Sequence, residues 1–121
     1  MSTCLIADDS KVIRLLLSKI ISNLGFSVIE AEDGEDVVEL TQLKEPDLVI
    51  MDWKLPVLEG IDALYKIREL KLNRQPKVIF CSAFSDMDRI SKALDGGADD
   101  YIIKPFDEDI VASKLTILGL L

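Results

Sequence analysis

Asp8 and Asp9 stand side by side where the apolar run of "LIADDS" (5–10) ends. Like charges so placed repel, and burial enlarges the penalty, so the pair needs a cause elsewhere in the chain. Three more polar residues close apolar runs in the same way: Asp52 in "VIMDW", Ser82 in "IFCSAF" and Lys104 in "YIIKPF". Three carboxylates gathered within a few ångströms cannot all stay ionised unless a cation compensates them. With only oxygen ligands on offer that cation is hard and divalent, and Mg²⁺ suits two or three carboxylates plus a carbonyl and waters. A carboxylate, a divalent metal, a hydroxyl and a lysine around one point would make a site for phosphoryl transfer to the carboxylate. The metal would offset charge between nucleophile and phosphoryl oxygens, while Lys104 and Ser82 would bind the other oxygens as charge spreads in the transition state. Asp52 is the best candidate nucleophile, because it stands alone on its run, and Asp8 and Asp9 would be the metal pair.

Other chemistries are excluded by what the chain lacks. It contains no histidine, which removes Ser-His-Asp hydrolysis, histidine-ligated zinc and imidazole base catalysis. Cys4 and Cys81 both lie inside apolar runs, as buried reduced thiols do, and Cys81 should point away from Ser82, which disfavours zinc. A net charge of -8, from 22 acidic and 14 basic residues, repels phosphate backbones and anionic lipid, so neither nucleic-acid binding nor membrane insertion is expected. No apolar stretch reaches the roughly 20 residues that span a bilayer, and no basic leader precedes the first apolar run, so a cytoplasmic protein is expected.

These residues must be positioned by an α/β scaffold. Short β-branched runs at 3–7, 27–31, 47–51, 77–81 and 100–104 read as strands. Amphipathic stretches lie between them. In the first, Ser10 is placed to cap a helix whose stripe is Ile13, Leu16, Leu17, Ile20 and Leu24, and Gly25 is placed to stop it. Residues 35–44, 61–71, 86–95 and 107–118 give four more helices, the second of these with Ile61, Leu64 and Ile67 on one side. The acidic residues Asp86, Asp88 and Asp107 to Asp109 read as helix-start charge. Five-fold βα alternation predicts a doubly wound, five-stranded parallel sheet covered on both faces. In such sheets ligands bind at the carboxyl ends of the strands, and the order 2-1-3-4-5 would bring all the named groups to one edge. One domain over 1–121 is expected, with no output domain.

The chain resembles the response-regulator receiver domains, the CheY-like family of two-component signalling, over essentially its whole length. The resemblance rests on the acidic pair in "ADDS", the aspartate in "MDWKLPVLEG", the hydroxyl in "CSA", and "GGADDYIIKPF" with its Lys-Pro. It implies a flavodoxin-like (βα)5 fold in which Asp52 accepts a phosphoryl group from a phosphohistidine on a sensor histidine kinase or phosphotransfer protein. It further implies that Asp9 binds Mg²⁺ directly and Asp8 largely through water, with Asp52 and the Lys54 carbonyl as further ligands. Ser82 and the Ala83 backbone would close on the phosphate, and Tyr101 would swing inward. The surface of the fourth helix, fifth strand and fifth helix would thereby change for a downstream protein. The Lys104-Pro105 bond is expected to be cis, aiming the lysine into the site, and Pro56 and Gly60 are expected to shape the loop after Asp52. By the same resemblance the chain is no enzyme beyond its own phosphoryl transfer and autodephosphorylation, and is a monomer or weak dimer. Lys54 and Phe84 depart from the commonest family pattern, at positions that flank the phosphoryl group and the attacking water.

Other readings fit less well. An aspartyl-phosphate phosphatase resembles a "DxDxT" pattern, whereas here the acidic pair is adjacent and followed by Ser10-Lys11. An FMN module of the same fold needs a neutral phosphate loop, which two aspartates would spoil. A degenerate receiver would lack part of the reactive set. A phosphate-relay intermediate or a phosphate sink remains an alternative to a switch.

Overall fold

A computed structural model describes residues 2–121, so Met1 of the expected 1–121 domain lies outside the described residues. Five strands, β1 (Thr3–Ala7), β2 (Ser27–Ala31), β3 (Leu48–Met51), β4 (Lys77–Ser82) and β5 (Asp100–Ile103), alternate with five helices. The helices are α1 (Lys11–Asn23), α2 (Gly34–Lys44), α3 (Gly60–Glu69), α4 (Met87–Asp95) and α5 (Glu108–Ile117). All strand pairs are parallel, in the order β2-β1-β3-β4-β5. This is the doubly wound arrangement and strand order that the sequence pattern predicts.

Two apolar layers follow from the two-residue period of the strands. Leu5, Val49, Met51, Val78 and Phe80 pack with Val37, Ile61, Leu64 and Ile67 on the side of α2 and α3. Their neighbours Cys4, Ile6, Leu48, Ile50, Ile79 and Cys81 pack with Leu17, Ile21, Val111 and Leu115 on the side of α1 and α5. Both faces of the central strands are dry, which is why these runs are continuously apolar rather than alternating. Among the described residues no helix is long and apolar enough to cross a membrane.

Element ends differ from expectation by a residue or two, for local reasons. Asp86 and Asp107 lie one residue before their helices as N-caps, their carboxylates accepting from the N–H of Arg89 and Ile110, and Asp33 caps α2 through Asp36 in the same way. The third helix stops at Glu69 because Leu70 adopts an extended backbone (φ −67°, ψ 141°). The fifth strand ends at Ile103, before the cis Lys104-Pro105 bond. Ser10 caps α1 by accepting from the Ile13 N–H, as its position predicts. Leu16 departs from the expected buried stripe: it is 43% exposed, while Ile21 is fully buried. The apolar arc of α1 is wider than the sheet can cover.

Candidate functional site

Strand register alone assembles the edge. The Asp52 N–H donates to the Ala7 carbonyl at 3.0 Å, which sets Asp52 beside Asp8, and the Lys104 N–H donates to the Ser82 carbonyl at 2.8 Å, which sets those two beside each other. Carboxylate oxygens of Asp8, Asp9 and Asp52 lie within 4.8 Å of one another. Asp8 and Asp52 are buried and Asp9 is exposed. The Lys104 Nζ donates to Asp8 Oδ2 at 2.8 Å and to Asp52 Oδ2 at 2.9 Å. Burial works against the charge of Lys104, but its hydrogen bonds to Asp8 and Asp52, with the charges of both, outweigh that and hold it above the ordinary lysine range.

The three carboxylates are not equivalent. Asp8 Oδ1 accepts from the Ser10 N–H at 2.9 Å and Oδ2 is taken by Lys104, so both of its oxygens are engaged. Asp52 Oδ1 accepts a long bond from the Lys54 N–H at 3.4 Å. Asp9 accepts no hydrogen bond from the described residues, and its carboxylate is open to solvent. An all-oxygen set with one open, exposed carboxylate beside two buried ones fits a hard divalent cation. Lys54 itself is exposed.

The loop after Asp52 is held by close backbone approach. The Gly60 N–H donates to the Trp53 carbonyl at 2.7 Å, and a side chain at 60 would lie 2.3 Å from the Asp52 carbonyl oxygen. Leu58 N–H donates to the Pro56 carbonyl at 2.7 Å across Val57, whose φ of 69° makes a γ-turn of the strained kind. The Gly34 N–H bonds the same Pro56 carbonyl, and a Cβ at Gly34 would meet the Leu58 oxygen at 1.8 Å. Pro56 and Gly60 thus stand where they can shape the loop.

On the other side of the edge the contacts converge on Phe84. Ser82, almost wholly buried, accepts from the Phe84 N–H at 3.1 Å, and the Tyr101 hydroxyl donates to the Phe84 carbonyl at 2.9 Å. Tyr101 already stands inward, buried beside Phe80 with ring centroids 6.1 Å apart, and burial pushes its phenol up. The Arg89 guanidinium lies 3.9 Å over the Phe84 ring and pairs with the capping Asp86 at 2.9 Å. Ala83 opens this loop, exposed. Cys81 belongs to the opposite layer, away from Ser82, and burial pushes its thiol up to about 12, with Cys4 higher still. Neither thiol is a nucleophile at neutral pH.

Three arginine contacts escaped the sequence. Arg14 donates to the Asp8 carbonyl at 2.6 Å, and its signal was present, because it stands three and seven residues before Leu17 and Ile21, a charge on a buried stripe. Arg68 ties α3 to the start of β5 through the Gly97 carbonyl and Asp99. The stack of Arg89 on Phe84 had no signal beyond their five-residue spacing.

The receiver domain profile of response regulators matches residues 4–116. The chain is 42% identical to the transcriptional regulatory protein PdtaR of Mycobacterium tuberculosis over 103 residues, covering 84% of this chain and 49% of that protein. It therefore spans about half the length of that relative. It is 39% identical to the chemotaxis protein CheY of Bacillus subtilis over 112 residues, 92% of each chain. Among solved structures, a chemotaxis response regulator CheY4 of Vibrio cholerae superposes with a TM-score of 0.88 at 23% identity, over 100% of this chain and 99% of that one, and so shares the fold. With its profile match and its similarity to CheY, the chain belongs to the response regulator receiver domains of two-component signalling.

Proposed function

We propose that this domain is a cytoplasmic, phosphorylation-activated switch whose Asp52 accepts a phosphoryl group from a phosphohistidine on a sensor kinase or phosphotransfer protein. The observation that carries the reading is Lys104, hydrogen-bonded to Asp8 and Asp52 at once while Asp9 stays open. Asp9, Asp52 and the Lys54 carbonyl would hold Mg²⁺, with Asp8 reached through water. Bound there, the ion supplies charge neutralisation between the attacking carboxylate and the phosphoryl oxygens. Asp52 attacks phosphorus as the N–P bond of the donor breaks, the imidazole leaves with the electron pair, and an acyl phosphate forms. Lys104 then shifts from a carboxylate oxygen to a phosphoryl oxygen, and Ser82 and the Ala83 N–H close on another. Hydrolysis by water at phosphorus resets the carboxylate, so the domain needs no substrate beyond its own phosphoryl group. The exposed Met87, Leu94, Ile103 and Ile110, on α4, β5 and α5, support a docking face there for a downstream protein.

Trp53, buried next to Asp52, supplies the test. Mg²⁺ and then acetyl phosphate are titrated while tryptophan fluorescence and intact mass are followed. The fluorescence is expected to respond to both and the mass to rise by one phosphoryl group, with no mass gain in Asp52→Asn. Wild-type protein whose mass does not change would sink the reading.

A further inference from the structure

We propose that Arg14 is a positioning residue for the cation-binding turn, an assignment that rests on the metal reading above. Arg14 is only 8% exposed, and a charge so buried persists only when it is paired. Two of its partners are loose: Glu30 and Glu32 sit at 3.3 Å with side chains 46% and 78% exposed. The third is tight and buried, the Asp8 carbonyl at 2.6 Å from Nη1. That carbonyl and the Asp9 N–H belong to one rigid peptide plane, so fixing the carbonyl fixes the plane from which the Asp9 side chain departs. The Ser10 N–H, bonded to Asp8 Oδ1 at 2.9 Å, pins the following peptide. Asp9 is therefore launched from a turn held on both sides while its own oxygens are left open. A ligand launched from a fixed backbone has only its own side chain left to order when a cation binds, which lowers the cost of binding as partners behind a metal ligand do. The planar guanidinium suits the task because it reaches the carbonyl and both glutamates at once, whereas a lysine offers one compact ammonium.

Arg14 also ties α1 to the end of β2, and a strut of that kind would affect stability alone. The experiment separates the two roles. Mg²⁺ is titrated into wild type, Arg14→Met and Arg14→Lys by Trp53 fluorescence, with a thermal melt of each protein alongside. Arg14→Met is expected to raise the half-saturating Mg²⁺ concentration about tenfold, in the range seen for residues behind a metal ligand. Acetyl phosphate labelling should return at saturating Mg²⁺, and Arg14→Lys should lie between the other two. A lower melting temperature with unchanged half-saturation overturns the assignment. Where Arg14→Met does not fold, the guanidinium resonances of wild-type Arg14 are followed by NMR; they are expected to shift with the same midpoint as Trp53, and resonances indifferent to the ion overturn it. A wild type with no response to Mg²⁺ defeats the metal reading itself, whereas a normal wild-type titration matched by Arg14→Met defeats only the role of Arg14.

Discussion

Around the carboxylates of β1 and β3, backbone meets backbone; around Ser82 and α4, single side chains reach a loop or helix start, as Ser82 and Tyr101 do at Phe84, and as Asp86 and Arg89 do at the start of α4. On the first side Gly34 and Gly60 leave no room for a Cβ against the Leu58 and Asp52 carbonyls, and α3 buries Gly60, Ile61, Ala63, Leu64 and Ile67. On the second side α4 buries Ala93 alone, and its start is held by the Arg89 stack and the Asp86 cap. Dense packing of this kind deforms little and holds Asp52 in place. A helix held by a few exposed contacts is displaced at small cost. On the proposed function, the difference would give rigidity to the phosphoryl acceptor and compliance to the readout.

The sharpest way to break this contrast is a pair of glycines. Gly34→Ala is expected to lower stability by about 3 kcal/mol in denaturant unfolding, because the clash is with backbone that cannot give. Gly96→Ala, whose Cβ would meet the movable edge of the Tyr65 ring at 2.7 Å and the Lys92 carbonyl oxygen only at 3.1 Å, should change it by less than about 1 kcal/mol. Equal losses would erase the distinction between the two sides. A second pair compares the helices directly: Leu64→Ala on α3 is expected to cost about 2–5 kcal/mol, and Leu94→Ala on α4 no more than about 0.5 kcal/mol. The smallest effect is kinetic. Phe84→Ala and Arg89→Ala should each shorten the life of the aspartyl phosphate by about two- to fivefold, the worth of an exposed cation–π contact, with little change in melting temperature. Decay of the phosphorylated mass at the wild-type rate in both proteins would leave the loop with no part in shielding the acyl phosphate.

Most of the site was legible because it is made by single residues at strand ends. Once parallel strands are ordered by right-handed crossovers, Asp8, Asp52, Ser82 and Lys104 must share an edge, and no side-chain detail is needed. What could not be read depends on where long side chains end. Arg14 reaches from α1 to a carbonyl six residues back, and Arg68 from α3 to residues 29 and 31 positions away. Sequence does not separate helix-start charge from a cap at Asp86 and Asp107, which the structure makes caps, since both roles favour the same residue at nearly the same place. Leu16 is indistinguishable from core in the sequence because an apolar arc on a helix does not reveal how far the neighbouring sheet extends.

The thin seat of α4 has a consequence for how such a domain diversifies. Met87, Asp88, Ser91, Lys92 and Leu94 are exposed, so their side chains can be exchanged at little cost to the fold while the carboxylates stay where they are. On the proposed function, rewriting that one helix would change the listener and leave the carboxylate chemistry as it stands.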